Sequence, residues 1–401
     1  ITYGEHDMAE NIVHLVLARV VGAPEGVKGI SLFVCPKFMV NADGSLGARN
    51  DVHCVSIEHK MGIKASPTAV LQYGDHGGAI GYLVGQENRG LEYMFVMMNA
   101  ARFAVGQQGI AVAERAYQKA VQYARDRVQS RPVDGSLNTA APIIHHPDVK
   151  RMLMTMRAYT EGCRAMAFVA AAALDAAHAH PDAAVRKQNQ AFYEFMVPLV
   201  KGYSTEMSLE VTSLGVQVHG GMGFIEETGA AQHYRDAKIL TIYEGTTAIQ
   251  ANDLVGRKTA RDGGATVRAI CEQIQDTEAQ LSARSSEAAK AVGKRLTAAR
   301  LALLDAAAFI AGGAKASPNA VFAGSVPYLM LAGNVMAGWQ LARSLIAAED
   351  QLAAGVEADF MRAKITTARF YADHILSKAP GVRDSIVDGA AGVTEMALDA
   401  F

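Results

Sequence analysis

Residues 235–250 read RDAKILTIYEGTTAIQ, and the glutamate in this stretch, Glu244, stands just before a predicted helix. Gly245 follows it, and the hydroxyl side chains of Thr246 and Thr247 come next. Hydroxyl residues cap helix N-termini, so the stretch predicts a loop that presents a carboxylate at a helix start. A carboxylate held there and shielded from water is suited to act as a general base. For this stretch alone, a surface glutamate stabilised by the helix dipole is the simpler interpretation.

Three other segments stand at defined distances along the chain. Residues 217–224 read QVHGGMGF, and Gln217 lies 27 residues before Glu244. A long predicted helix ends in YARDR at Arg127, and Arg102 lies 25 residues before Arg127. A glycine-rich loop can turn its backbone amides toward an anion. An arginine near a helix C-terminus also has an ordinary alternative, because it stabilises the helix dipole without any ligand.

Taken together, these four segments resemble the motifs of the acyl-CoA dehydrogenase family. The family pairs a Q-x-x-G-G-x-G-F loop with an R-D-A-K…Y-E-G-T segment and carries a Y-A-x-x-R helix end. The resemblance covers roughly residues 1–260, with the motifs in the same order and at the same spacing. The remaining residues resemble the extra C-terminal helical domain of a larger subclass. That subclass is similar to the 3-methylmercaptopropionyl-CoA dehydrogenases and to broad-range bacterial acyl-CoA dehydrogenases.

The resemblance implies an enzyme that desaturates an acyl-CoA thioester to the trans-2-enoyl-CoA with FAD as cofactor. Glu244 is then the base that removes the α-proton, while the β-hydrogen leaves as hydride to flavin N5. The thioester oxygen accepts hydrogen bonds from the backbone N–H of Glu244 and from the flavin ribityl chain. Donors directed at developing negative charge are usually the largest catalytic contribution.

The resemblance also assigns binding residues by position. The cofactor-binding residues, on the pyrophosphate and adenine side of FAD bound to a neighbouring subunit, are Arg127, Gln217, Gly220, Gly221 and Thr246. The substrate-binding residues are Asn99, Arg102, Tyr243 and Gly245. An ordinary core tyrosine is the alternative interpretation of Tyr243. No metal ligands are predicted.

Composition and periodicity predict an α+β fold that is mainly α. Strand patterns at 11–20, 29–38, 52–57 and 69–73 predict an antiparallel meander, as part of a middle β domain over residues 1–88. Residues 89–260 carry the pattern of a four-helix bundle. The resemblance implies that this bundle is of the acyl-CoA dehydrogenase type and holds the FAD and acyl-CoA site. Residues 261–401 form the extra C-terminal helical domain, with breaks expected at 312–318, 355 and 380–381.

Individual helix limits follow from capping residues and glycines. Pro147 begins a predicted helix to about residue 178, Asp182 caps one to about residue 214, and another starts after Gly245. Gly106 and Gly109 lie inside the first helix, where each glycine costs about 1 kcal/mol relative to alanine. They predict close approach of another backbone or of a ligand.

The bulk properties limit the partners. The net charge is −2, which gives no reason to expect nucleic acid as a partner. Four widely spaced cysteines suit reduced thiols, and no long uninterrupted apolar run predicts a membrane span. The family's T-E-P-x-x-G-S-D segment, which packs on the flavin, is not found, and residue 1 reads as the middle of a domain. We expect a preceding segment in the native protein, and the bacterial cytoplasm as its location.

The resemblance implies an electron-transfer flavoprotein as electron acceptor and a homodimer or higher homo-oligomer with FAD at the subunit interface. Two alternatives stay open. Acyl-CoA oxidases share the architecture and keep a similar base but pass electrons to oxygen. A non-catalytic helical subunit of a flavoprotein assembly is expected to lose the base or the glycine loop, and this chain has both. The length of the acyl chain cannot be inferred from these residues.

Overall fold

The computed structural model describes residues 1–401 and divides the chain into two units, Ile1–Ala101 and Arg102–Phe401. Seven short strands lie in the first unit: β1 (Val13–Arg19), β2 (Ile30–Pro36), β3 (Phe38–Val40), β4 (Leu46–Arg49), β5 (Val52–Ile57), β6 (Ala69–Tyr73) and β7 (Tyr82–Val84). All pairs are antiparallel, in one three-stranded sheet of order β1-β2-β7 and two hairpins, β3–β4 and β5–β6.

The four predicted strand segments are present, but the prediction of a single meander was wrong. Strand β7 returns to pair with β2, with Leu32 opposite Val84. The buried side chain of Asn50 explains the arrangement. Its amide nitrogen donates to the carbonyl oxygens of Pro36 (2.8 Å) and Ile80 (2.9 Å), and its amide oxygen accepts from the Ile80 N–H (2.9 Å). A single polar side chain thus joins the ends of β2 and β7, which an alternating apolar pattern does not reveal.

Thirteen α-helices account for most of the rest of the chain. They are α1 (Gly90–Asp126), α2 (Pro147–Ala179), α3 (Ala183–Pro198), α4 (Ser204–His219), α5 (Ala230–Lys238), α6 (Thr247–Val255), α7 (Ala265–Ser282), α8 (Glu287–Gly313), α9 (Pro318–Ala323), α10 (Ser325–Ala353), α11 (Ala358–His374), α12 (Ala379–Val387) and α13 (Ala391–Thr394). The structure is therefore mainly helical with small antiparallel sheets, as predicted.

The two glycines inside α1 mark a close helix–helix contact, which confirms their predicted role. A Cβ atom at Gly106 would lie 2.3 Å from the carbonyl oxygen of Val200, and one at Gly109 would lie 3.2 Å from the Cα of Thr205. Only a hydrogen fits at Gly106 and a Cβ at Gly109 would be tight, so α1 approaches the backbone of the segment from Val200 to Thr205 directly.

The helix predicted from Asp182 to about residue 214 is interrupted, which periodicity did not indicate. Asp182 caps α3 by accepting from the Ala184 N–H at 2.8 Å, as predicted. Pro198 then ends α3, and Leu199–Tyr203 form one π-helical turn before α4 begins. Proline has no N–H to donate to the preceding turn, so the hydrogen-bond pattern changes there. We refer to Leu199–Tyr203 as the π turn.

The C-terminal region has four long helices, α7, α8, α10 and α11, and three short ones. The breaks expected at 312–318 and 355 are observed, and the one expected at 380–381 lies a few residues earlier, between the end of α11 at His374 and the start of α12 at Ala379. Pro380 lies in the first turn of α12. An N–H group at this position has no partner within the helix, so proline is tolerated there. Helix α8 is long and apolar enough to cross a membrane by length and composition, and it packs against α7, α10, α11 and α12.

We predict that Gly106→Ala destabilises the protein by about 1–3 kcal/mol, because the added methyl group collides with the Val200 carbonyl and α1 must shift. Gly312→Ala is the matched control, since Gly312 lies in α8 with no atom within 4 Å of the added Cβ. That change is expected to be neutral or slightly stabilising. Urea unfolding of both variants measures the difference. Equal effects of the two substitutions would contradict the predicted contact.

Candidate active site

Glu244 lies on a loop between the turn Ile239–Thr241 and helix α6, as the sequence predicted. The Thr246 hydroxyl caps α6 by accepting from the Ile249 N–H at 3.3 Å. The Glu244 side chain is exposed, and its backbone N–H has no acceptor within the chain. The loop therefore presents both a free carboxylate and a free N–H donor. We call residues 242–246 the Glu244 loop.

The backbone of this loop is strained. Glu244 has φ 54° and Gly245 has φ 93°, so two successive residues occupy the left-handed region. Glycine adopts this conformation freely, but for a residue with a side chain it costs of the order of 1–3 kcal/mol. A Cβ at Gly245 would also lie 2.7 Å from the Gln250 amide nitrogen.

A fully buried lysine, Lys201 of the π turn, lies directly behind the loop. Its Nζ donates hydrogen bonds to the carbonyl oxygens of Leu240 (2.9 Å) and Gly245 (2.5 Å). Burial lowers the pKa of Lys201 from 10.5 to about 8, and the nearby Arg102 cation acts in the same direction. The carboxylates of Glu206 and Glu244 oppose this shift.

Sequence reasoning missed Lys201, although one signal was available. It is the only charged residue in the apolar run from Phe195 to Tyr203, FMVPLVKGY. A charged side chain is rarely buried without a specific partner. A lysine in such a run indicates either a helix face that reaches water or a buried polar contact, and periodicity alone does not distinguish them.

The predicted substrate residues Arg102 and Asn99 differ in burial. Arg102 is buried, with its Nη1 atom 3.7 Å from Asp253, and Asp253 also pairs with Arg257 at 2.5 Å. The Nε atom of Arg102 is buried without a partner. Asn99 is exposed and belongs to the first unit. Their contact with a substrate stays a prediction.

Tyr243 is half-buried, and its hydroxyl donates to the side-chain carbonyl of Gln108 on α1. The alternative of an ordinary core tyrosine is therefore wrong, because the ring is not enclosed in the apolar core. This hydrogen bond instead ties the start of the Glu244 loop to the surface of α1. A role for Tyr243 in an acyl pocket stays a prediction.

The predicted cofactor residues Arg127, Gln217, Gly220 and Gly221 line one cleft of about 710 Å³. The fifth, Thr246, lies on the Glu244 loop and is not among the cleft residues. The Arg127 side chain is exposed and has no acidic partner, so its guanidinium is available to an anion. No atom lies within 4 Å of a Cβ built at Gly220 or Gly221, which leaves the cleft open there.

The prediction that the backbone amides of the glycine loop face an anion is wrong for Gly220. The Gly220 N–H donates to the Gln217 carbonyl as the C-cap of α4, so it does not face an anion. A residue with φ 58° and ψ −139° is needed to end the helix this way, which explains the glycine.

His219, to which the sequence gave no role, stacks on Tyr123 with the ring centroids 4.3 Å apart. One ring nitrogen, Nδ1, lies 2.7 Å from the Gly215 carbonyl and donates to it. Burial holds the pKa of His219 below its ordinary value, so the ring is neutral near pH 7. The pair forms an aromatic wall of the cleft beside Arg127.

The first unit holds a cluster that sequence reasoning also missed. The Asp51 carboxylate lies 3.2 Å from His53 Nε2 and 3.3 Å from His76 Nδ1, and the three ligand atoms lie within 4.8 Å of one another. Asp51 also accepts from the backbone N–H groups of His76 and Gly78, which orders the loop after β6. The residues come together because β5 pairs with β6, and their separation along the chain concealed this.

Comparisons with known proteins identify the family of this chain. Residues 88–258 match the family model "acyl-CoA dehydrogenase, C-terminal domain", and residues 267–397 match "acetyl-CoA dehydrogenase C-terminal like". The chain is 57% identical over 97% of its length to 3-methylmercaptopropionyl-CoA dehydrogenase of Ruegeria pomeroyi. It is 39% identical over its whole length to the broad-specificity linear acyl-CoA dehydrogenase FadE5 of Mycobacterium tuberculosis. It spans 65% and 68% of these two relatives, about two thirds of their length.

Solved structures show the same fold. The chain superposes on Caenorhabditis elegans ACDH-11 in complex with C11-CoA with a TM-score of 0.73 at 20% identity, covering 94% of this chain and 60% of that one. An acyl-CoA dehydrogenase from Bacillus anthracis, complexed with FAD, gives 0.71 at 20% identity, covering 97% and 62%. The chain belongs to the acyl-CoA dehydrogenase family, a family of oxidoreductases.

The buried cation of Lys201 predicts a pH dependence of stability. Its pKa is lower in the folded protein, about 8, than the ordinary 10.5, so below pH 8 folding bears the full cost of burying the charge. Between pH 8 and 10.5 the folded protein releases this proton first, and the cost falls by about 1.4 kcal/mol for each pKa unit of the difference.

The free energy of unfolding of the wild type, minus that of Lys201→Met, is therefore expected to increase as the pH rises from 8 toward 10.5. Urea denaturation at several pH values measures this difference and cancels the titration of the other groups. A difference that stays constant or decreases over this range would show that Lys201 does not titrate as predicted.

Proposed function

We propose that the protein catalyses the FAD-dependent α,β-dehydrogenation of an acyl-CoA thioester, with Glu244 as the base. One observation carries the proposal: Glu244 and Gly245 hold a strained positive-φ backbone that presents a free carboxylate and a free N–H side by side. Strain of this kind is retained mainly where function requires it. Similarity to acyl-CoA dehydrogenases along the whole chain supports the same chemistry.

In this proposal the Glu244 carboxylate accepts the α-proton of the thioester. The negative charge that develops on the thioester oxygen is stabilised by the N–H of Glu244, which is already oriented by the loop. Because this donor makes no bond within the chain, it does not have to be released first. Gly245 keeps its positive φ without a side chain that would crowd Gln250.

The cleft residues fit the anionic and ring portions of FAD. Arg127 offers an unpaired guanidinium, Gln217 an exposed amide, and the stacked Tyr123 and His219 an aromatic wall. Arginine suits phosphate oxygens because its planar fork donates two parallel hydrogen bonds. When bound, FAD supplies the acceptor for the β-hydrogen, which leaves the substrate as hydride. We further propose that FAD lies at the interface of a homodimer or higher homo-oligomer.

The substrate proposal rests on the relatives. The 57% identical protein is named for 3-methylmercaptopropionyl-CoA, and a 35% identical one from Syntrophomonas wolfei is a butyryl-CoA dehydrogenase. We therefore propose a short acyl chain, with the thioether substrate as the first to test. The proposed electron acceptor is an electron-transfer flavoprotein, and the proposed location is the bacterial cytoplasm.

Glu244→Gln is expected to lower the rate of substrate dehydrogenation about 100- to 10,000-fold, because the amide cannot accept the α-proton. FAD content, measured from flavin absorbance, should not change. Glu227→Gln is the matched control, since Glu227 is an exposed glutamate on the short turn Glu226–Thr228. Full dehydrogenase activity in Glu244→Gln would refute the assignment of the base.

A comparison of two isosteric substrates tests specificity. Pentanoyl-CoA has the same chain length as 3-methylmercaptopropionyl-CoA with a methylene in place of sulfur. We expect the thioether to have the higher kcat/KM, and both to exceed long-chain substrates. Parallel assays with a dye acceptor and with oxygen distinguish a dehydrogenase from an oxidase. Reoxidation by oxygen that matches turnover with the dye would favour the oxidase, and a protein that never binds flavin would favour a non-catalytic subunit.

A further inference from the structure

We propose that Lys201 is a positioning residue that holds the Glu244 loop in its strained conformation from the protein interior. The inference rests on the proposed role of Glu244 as base and adds a residue that the family motifs described above do not include. Lys201 contacts the loop only through backbone carbonyl groups. It acts through the loop rather than on the substrate.

The hydrogen bonds of Lys201 are placed at both ends of the segment that must be held. Leu240 lies in the turn before the loop, and Gly245 is the second of the two residues with positive φ. The Gly245 carbonyl also accepts a longer bond from the Gln250 amide nitrogen at 3.4 Å. Two donors therefore turn this carbonyl inward, and the peptide that carries it cannot rotate without breaking both bonds.

The hydrogen bonds of Lys201 counteract the backbone strain at Glu244. A glutamate at φ 54° gains energy by returning to negative φ, and it stays where it is only if its surroundings prevent that return. Hydrogen bonds from a charged donor are stronger than those between neutral groups, so an ammonium group is well suited to this task. Burying that charge carries a cost, which makes a purely incidental lysine at this position improbable on energetic grounds.

Lys201 itself is fixed by packing on two sides of the π turn. The Val200 carbonyl rests against Gly106 of α1, and Gly202 leaves no room for a Cβ beside Leu329 of α10, which would lie at 2.7 Å. The Lys201 carbonyl accepts from the Ser204 N–H and, at 2.8 Å, from the Thr205 hydroxyl, so the π turn is tied to the first turn of α4.

The C-terminal helices take part in this support. The Tyr203 hydroxyl bonds to Asn334 of α10 (2.8 Å) and to the Tyr371 hydroxyl of α11 (2.9 Å), and all of the Tyr203 ring is buried. A Cβ at Gly333 would lie 2.2 Å from that ring. The C-terminal helices therefore anchor the π turn, two residues from the lysine that holds the loop.

The charges around Lys201 also influence the proposed base. The groups that face its ammonium are Glu206, Glu244 and Arg102. Glu206 is engaged by the Thr247 hydroxyl at the start of α6, and Arg102 is paired with Asp253. Lys201 therefore supplies a positive charge that interacts with the Glu244 carboxylate.

The test uses Lys201→Met in the intact protein, with Lys258→Met as the matched control. Lys258 also lies in a π-helical turn, but it pairs with Glu194 near the surface. For Lys201→Met we expect the flavin reduction rate to fall about 100-fold, as a small misplacement of a catalytic group can cause. The affinity for acyl-CoA and the FAD content should stay close to wild type. Lys258→Met should leave both the rate and the affinity unchanged.

Crystal structures of the unliganded wild type and of Lys201→Met give a readout that does not depend on activity. We expect Glu244 to lose its positive φ in the variant and the Gly245 carbonyl to turn outward. If Lys201→Met fails to fold, Lys201→Gln replaces it, because its amide is smaller and can make at most part of the same contacts. The same changes are then expected to a lesser degree.

A folded Lys201 variant with the wild-type loop conformation and the wild-type rate would refute the proposal. The Glu244→Gln result separates this failure from failure of the proposed function. If Glu244→Gln is inactive while the Lys201 variants are normal, Glu244 is the base but Lys201 does not position it. If Glu244→Gln is fully active, both proposals fail.

Discussion

The hydrogen bond from the buried Lys201 ammonium to the Gly245 carbonyl is the contact on which the proposed site depends most. It joins the interior of the helical unit to a loop whose backbone is strained at Glu244. Helices α1, α10 and α11 all contribute to holding the π turn that carries the lysine. An extended helical core thereby restricts a loop of only a few residues, which is how preorganisation of a donor group is achieved without ligand.

The fixed interval between Gln217 and Glu244 has a simple structural meaning. Gln217 stands in the last turn of α4, and the chain then forms the glycine loop and α5 before it reaches Glu244. Any insertion in that interval would shift the Glu244 loop relative to the π turn at the other end of α4. The spacing that indicated the family in the sequence therefore measures one helix, the two short turns before it and the one after it.

Regular elements could be predicted well from the sequence because local rules govern them. The strands at residues 52–57 and 69–73, the Asp182 cap and the start of α2 at Pro147 all follow from residue type and periodicity. The features that were missed depend on contacts between residues distant in the chain. The hydrogen bonds of Asn50, the Asp51 cluster and the π turn all involve such contacts. For the π turn, Pro198 was the one local indication in the sequence.

For the site, the sequence identified residues better than it identified their surroundings. It predicted the loop and the cap of α6, and four of its cofactor residues share one cleft. It did not show that Arg102 is buried against Asp253, that Gly220 uses its N–H to end α4, or that Lys201 lies behind the loop. These facts follow from how the helices pack, which a one-dimensional pattern does not contain.

Exchange of the substrate α-proton tests the central claim most directly, because it follows proton abstraction apart from hydride transfer. The protein is incubated with acyl-CoA in D₂O, and deuterium at Cα is measured by mass spectrometry. The wild type should incorporate deuterium, Glu244→Gln should not, and Lys201→Met should do so slowly. Incorporation by Glu244→Gln at the wild-type rate would contradict the account.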